Sequence, residues 1–185
     1  MMRIVYIIVK FLTLPGAILH AFFEHMCCRS AKIMIEDERT VRFDEMMSHI
    51  EHDLVKRKAA SFDICFIPFF LNFALGNLIL MYGSVSILYF GRFADIFGWI
   101  CLYLGIALLT NLFPQIEDVM MMNENFYVNN KKKFSKIIVA PFYGIFWLFS
   151  RLEKFGVTLI TSVAYAVALP YILGLFVPTI YNWLK

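Results

Sequence analysis

His20 and Glu24 stand four residues apart in the apolar stretch LPGAILHAFFEHMCC, residues 14 to 28. On a helix that spacing sets them about 40° apart and one turn along the axis, close enough to address one ligand. His25 lies about 140° round from His20 and cannot join them without a break in the helix. A charged side chain at the centre of a membrane helix costs at least ~2.5 to 3.5 kcal/mol, so such groups usually pair and mark a function. The next polar residues in apolar surroundings fall in TNLFPQIEDVMMM, where Asn111 is followed by Pro114, a helix breaker, and then by Glu117 and Asp118. His20, Glu24 and Asp118, one imidazole and two carboxylates, have the chemistry of a divalent metal site, with a fourth position open for water. Glu117, Asn111 and His52 are accessory candidates. The competing readings are a buried hydrogen-bonded pair or a proton or ion pathway for His20 and Glu24, and a solvated loop for Glu117 and Asp118.

These residues need elements to position them, and composition says what kind. The chain has 185 residues, 61% hydrophobic and 17% charged, with 20 phenylalanines, and a mean hydropathy of +0.70. A soluble domain is roughly 45 to 50% apolar, so an all-α integral membrane protein is expected, as a single domain over 1–185. A membrane helix needs about 20 mostly apolar residues, which gives spans near 4–28, 62–90, 94–113 and 156–182, and a shorter fifth at 137–150. The expected architecture is a bundle of about five transmembrane helices. Lys10 splits the first apolar stretch and no cleavage motif follows, so it reads as a retained anchor. Cys27, Cys28, Cys65 and Cys101 sit in or beside apolar segments without metal-ligand spacing, and no disulfide framework is implied.

Lysine and arginine set the orientation. With five spans, one side carries seven in 29–61, four in 131–136 and Lys185, whereas the other carries only Arg3, Arg92, Arg151 and Lys154. The amino terminus is therefore expected outside and the carboxyl terminus in the cytoplasm, in a membrane of bacterial cytoplasmic type. The first and third spans then both run inward, which brings Asp118 level with the inner part of the first. The cytoplasmic segments are 29–61 and a loop over 114–136. In the former, AKIMIEDERTVRF reads as a hairpin of two short strands around a polar turn. After it, Phe43, Met46, Met47, Ile50, Leu54 and Val55 share one face of an amphipathic interfacial helix. His49 and His52, three apart, could bind metal or sense pH, but a solvated face of that helix is expected.

The three polar stretches resemble, in order, the motifs of the intramembrane zinc metallopeptidases related to site-2 protease. LPGAILHAFFEH is similar to that family's His-Glu-x-x-His motif, and NLFPQIEDV, with Asn111, Pro114 and Asp118, to its Asn-x-x-Pro-x-x-x-Asp motif. FIPFFLNFALG resembles its Gly-Pro to Asn segment, with Pro68 and Asn72 matching and Ile67 where a glycine is expected. The resemblance covers roughly residues 12 to 120. It implies zinc held by His20, by Glu24 in place of the second histidine, and by Asp118. The family's general base follows the first histidine, and here that position is Ala21. Positioned proton transfer contributes about 10² to 10⁴ in rate, so a catalytically impaired homologue is expected. It would act as a metal-binding or partner-binding membrane subunit, in the bilayer with a membrane-protein partner or transmembrane substrate. The alternatives are an active intramembrane metalloprotease and an accessory subunit of a transport or assembly complex without metal. No nucleic-acid surface, phosphate-binding glycine loop or Ser/His/Asp set is present.

Overall fold

The computed structural model describes residues 2–41, 43, 47–128 and 133–183. The chain folds as seven α-helices and one two-stranded ribbon among the described residues: α1 (Met2–Leu12), α2 (Leu14–Ser30), β1 (Ile35–Asp37), β2 (Glu51–His52), α3 (Lys58–Ser84), α4 (Ile96–Thr110), α5 (Ile116–Asn123), α6 (Lys133–Glu153) and α7 (Val157–Trp183). π-helical turns extend α3 over Val85–Tyr89 and α5 over Glu124–Val128.

Two helices are long and apolar enough to cross a membrane, Lys58–Tyr89 and Val157–Gly174, and a third span is possible if α1 and α2 count as one broken span. The sequence pattern leads one to expect five. The first stretch, read as one helix over 4–28, instead bends by 91° between α1 and α2. Thr13 sits at the break and caps α1 through its hydroxyl, which donates to the Val9 carbonyl at 2.8 Å. Pro15 then occupies the first turn of α2, where its missing N–H has no partner to lose. α4 is apolar but has 15 residues, about 22 Å at 1.5 Å per residue, short of the roughly 30 Å of a hydrocarbon core. α6 does not meet the length-and-apolarity test, and part of the Lys131 to Lys133 run lies outside the described residues.

Close backbone approach holds α2, α3 and α4 together. A Cβ on Gly16 of α2 would run into the Ala107 carbonyl of α4, and one on Gly105 of α4 would meet the backbone of Leu80 in α3. Small residues at crossings are how helices gain dispersion energy where lipid removes the hydrophobic drive. Phenylalanines fill the space toward α6, with Phe113 and Phe149 stacked at 4.5 Å and Phe69 edge-on to Phe146 at 5.2 Å. The outer faces of α3 and α7 carry exposed Phe70, Phe73, Leu78, Ile160 and Val167, a surface suited to lipid.

The segment between α2 and α3 departs most from expectation. β1 does pair in an antiparallel hairpin, but its partner is β2, with Ile35 opposite His52, and the connection between them is long. Among the described residues of 43–57 no interfacial helix forms, and residues 42 and 44–46 of that expected helix lie outside the description. Ser48 has φ +78°, a left-handed conformation that stops a helix. What replaces the helix is burial: Met47, His49 and Ile50 point inward rather than onto a membrane surface.

Candidate metal centre

α2 contributes His20 and Glu24, both 1% exposed. Their spacing puts them on one face, with His20 Nε2 4.0 Å from Glu24 Oε2. His20 is oriented from behind by α3: Asn72 Nδ2 donates to the Asn111 carbonyl at 2.7 Å and lies 3.3 Å from His20 Nδ1. With Nδ1 accepting, the proton of a neutral His20 sits on Nε2, the nitrogen turned toward Glu24. Asn72 Oδ1 is buried without a hydrogen-bond partner among the described residues.

The segment after β1 folds down over α2 and supplies two more imidazoles. His49 Nδ1 lies 3.2 Å from Glu24 Oε2, and the Ile50 N–H donates to Glu24 Oε1 at 3.3 Å. The His49 ring stands edge-on to His20, with centroids 5.1 Å apart. The loop is pinned by Tyr6 of α1, whose hydroxyl donates to the Met47 carbonyl at 2.9 Å, and by Asn125, whose Nδ2 donates to the Val55 carbonyl at 2.7 Å.

α5 brings the last member. The chain leaves α4 at Thr110, passes Pro114 and, through Gln115 in extended backbone, enters α5 at Ile116, so Asp118 falls in the first helical turn, where a negative charge suits the helix dipole. Its Oδ1 is 3.2 Å from His52 Nε2. His52 Nδ1–H donates to the Asp53 carbonyl at 2.9 Å, which leaves Nε2 for the acid. Burial works against a charge on His52, but the hydrogen bond and attraction from Asp118 outweigh it, and its pKa is pushed up to about 9.

Five side chains from three segments thus meet in two overlapping groups, His20, Glu24 and His49, and Glu24, His52 and Asp118. Within each group the ligand atoms lie no more than 4.8 Å apart. Asp118 also bears on Glu24 as a like charge. Three imidazoles and two carboxylates, buried together with no lysine or arginine paired to either acid among the described residues, are groups that could hold a metal ion. His52 shows the companion feature such ligands have, its second nitrogen fixed by a backbone carbonyl.

Compared with models of known protein families, with curated proteins and with solved structures, the chain has no match. The functional reading therefore stands on the residues and their geometry.

Of the residues singled out in the sequence, His20, Glu24, Asp118 and His52 come together, although His20 and Asp118 meet only through Glu24. Glu117 is exposed on the other side of α5. Asn111 serves a neighbouring network instead: its Oδ1 accepts from Lys10 Nζ at 2.9 Å and its Nδ2 donates to Thr13 Oγ1 at 2.9 Å. His25 faces away and pairs with Glu38 at 3.7 Å. His49, expected on a solvated face, is the residue that sequence reasoning misses. The apolar spacing around it imitates a helix, and the left-handed Ser48 that turns it inward leaves no mark in residue types.

Proposed function

We propose that the chain is a membrane-embedded metal-binding protein of site-2-protease-like design, holding a divalent ion, zinc, at Glu24 and its neighbours. It serves as a partner-binding subunit rather than a peptidase. The observation that carries this reading is the buried convergence of two carboxylates and three imidazoles in two overlapping groups whose ligand atoms lie within 4.8 Å of one another. Imidazole and carboxylate are the donors that suit a divalent transition-metal ion. Zinc would supply Lewis acidity there. Ala21, fully buried at the position of the family's base, offers no group to move a proton, which supports a binding role. A cavity of about 390 Å³ between α2 and α3, lined by Phe23, Met26, Ala60, Ile67 and Leu71 with Arg57 and Asp63, suits an apolar segment of a membrane-protein partner.

The proposal includes the finer membrane arrangement: a five-span bundle in a bacterial cytoplasmic membrane, amino terminus outside and carboxyl terminus inside, supported by the basic residues of 29–61 and 131–136. The metal reading is tested by elemental mass spectrometry of the purified, detergent-solubilised protein beside Asp118→Asn. Near-stoichiometric zinc that falls in the variant is expected; no metal in either protein overturns the reading.

One observation favours a second reading, intramembrane proteolysis. His49 brings to the site an imidazole beside Glu24, a group able to relay a proton where Ala21 cannot. Its test is cleavage of a co-expressed single-span substrate that disappears in His20→Ala.

A further inference from the structure

We infer that this cluster holds two divalent metal ions rather than one, with the Glu24 carboxylate shared between them. The inference rests on the preceding reading that the cluster binds metal, and goes beyond it in number, in the role of Glu24 and in the ligand the site calls for.

Geometry separates the donors into two sets. With bonds of about 2.0 to 2.2 Å, two ligand atoms on one zinc can stand no more than about 4.4 Å apart. His20 and His49 gather with Glu24, and His52 and Asp118 gather with Glu24, but the five do not form a single group even at 4.8 Å. One ion placed for the first set leaves Asp118 and His52 to each other; one placed for the second leaves two imidazoles without a role. Two ions use every donor, and Glu24 is the member common to both sets. Its position suits sharing: Oε2 faces His49 and His20, at 3.2 and 4.0 Å, whereas Oε1 receives the Ile50 N–H at 3.3 Å and the Asp118 charge acts on the same carboxylate. Paired metal ions typically stand about 3.5 to 4 Å apart, the reach of one bridging carboxylate.

Supporting contacts divide in the same way. Asn72 orients His20, and the Asp53 carbonyl orients His52. Charge then defines the remaining ligand. Two divalent ions exceed what Glu24 and Asp118 neutralise, so the pair calls for an anion from outside the chain, of carboxylate or phosphate chemistry.

The test is metal stoichiometry together with magnetic coupling. Full-length protein in detergent, stripped with chelator and reloaded with zinc, is expected to hold two ions per chain. His49→Gln and His52→Gln should each hold one, and Glu24→Gln less than one. Reloaded with manganese(II), the wild-type chain should give the exchange-coupled electron paramagnetic resonance spectrum of a bridged pair, a readout that needs no variant to fold. One ion per chain with an uncoupled spectrum overturns the two-ion centre and leaves the metal reading standing; no ion at all overturns both.

Discussion

Two buried polar clusters lie side by side in this protein, and they handle charge in opposite ways. In the first, Lys10 of α1 meets Glu153 of α6 at 2.6 Å and donates to Asn111, which in turn holds Thr13. One cation answers one anion, and the amide takes up the remaining donor capacity. In the second, two carboxylates share three imidazoles, and no lysine or arginine completes the set among the described residues. The two touch through Asn72, which donates to the Asn111 carbonyl and reaches His20. A pair that closes on itself builds structure, whereas several metal-ligand donors gathered round one shared carboxylate make a place for a ligand.

The largest effect should come from opening the closed pair. Lys10→Ala leaves Glu153 buried without its cation and is expected to cost about 3 to 5 kcal/mol in denaturant unfolding in detergent. The double change Lys10→Met with Glu153→Met should recover most of that loss. An unchanged midpoint in the single variant would remove the pair from any structural role. Next comes the ligand itself. Stripping metal with chelator should lower stability by about 2.7 kcal/mol relative to protein held at one hundred times its Kd, and Glu24→Gln should abolish the difference.

A smaller effect separates the clusters by pH. In metal-free protein His52 titrates near 9, above its ordinary value of about 6.5, so its contact with Asp118 stabilises the fold fully below that ordinary value. The contribution is lost as pH rises through about 9. Unfolding of chelator-treated protein at pH 6 and pH 10 should show the decline, and His52→Gln should flatten it. The least effect is expected at Asp95, a carboxylate kept by hydrogen bonds alone. It accepts from Ser86 Oγ at 2.6 Å and from the Gly98 N–H at 2.9 Å as the cap of α4, and those bonds hold its carboxyl below the usual range. Its contribution is present at neutral pH and fades as pH falls through that lowered value. Asp95→Ala should lower the melting temperature slightly and leave metal content untouched.

The apolar length of α3 and α7 was legible in composition, because hydrocarbon thickness leaves few alternatives for so long a run. The His20 and Glu24 pair was legible because helical spacing is rigid, and Asp118 because Pro114 forces the chain out of α4 just before it. Three features were not. The 91° bend at Thr13 falls where Pro15 opens α2, a signal outweighed in the sequence by the continuous apolar run around it. The partner of β1 lies well beyond the hairpin turn that its own sequence suggests, since pairing is decided by which segment is pinned across α2. His49 was hidden because 43–57 has helical apolar spacing while its polar atoms are taken by Glu24 and Tyr6, partners far away in sequence.

The donors of the cluster are also spread through time. Glu24 leaves the ribosome early, the two loop histidines follow, and Asp118 comes last, after α3 and α4. The interval from residue 20 to residue 118 is 118 − 20 = 98 residues, about 5 to 20 s at ordinary rates of synthesis. For most of that interval Glu24 has His49 and the Ile50 N–H beside it in sequence order but no finished pocket around it. The site is therefore closed by the first turn of α5, and a nascent chain halted before α5 carries His52 without its acid, by which an incomplete product differs from a finished one.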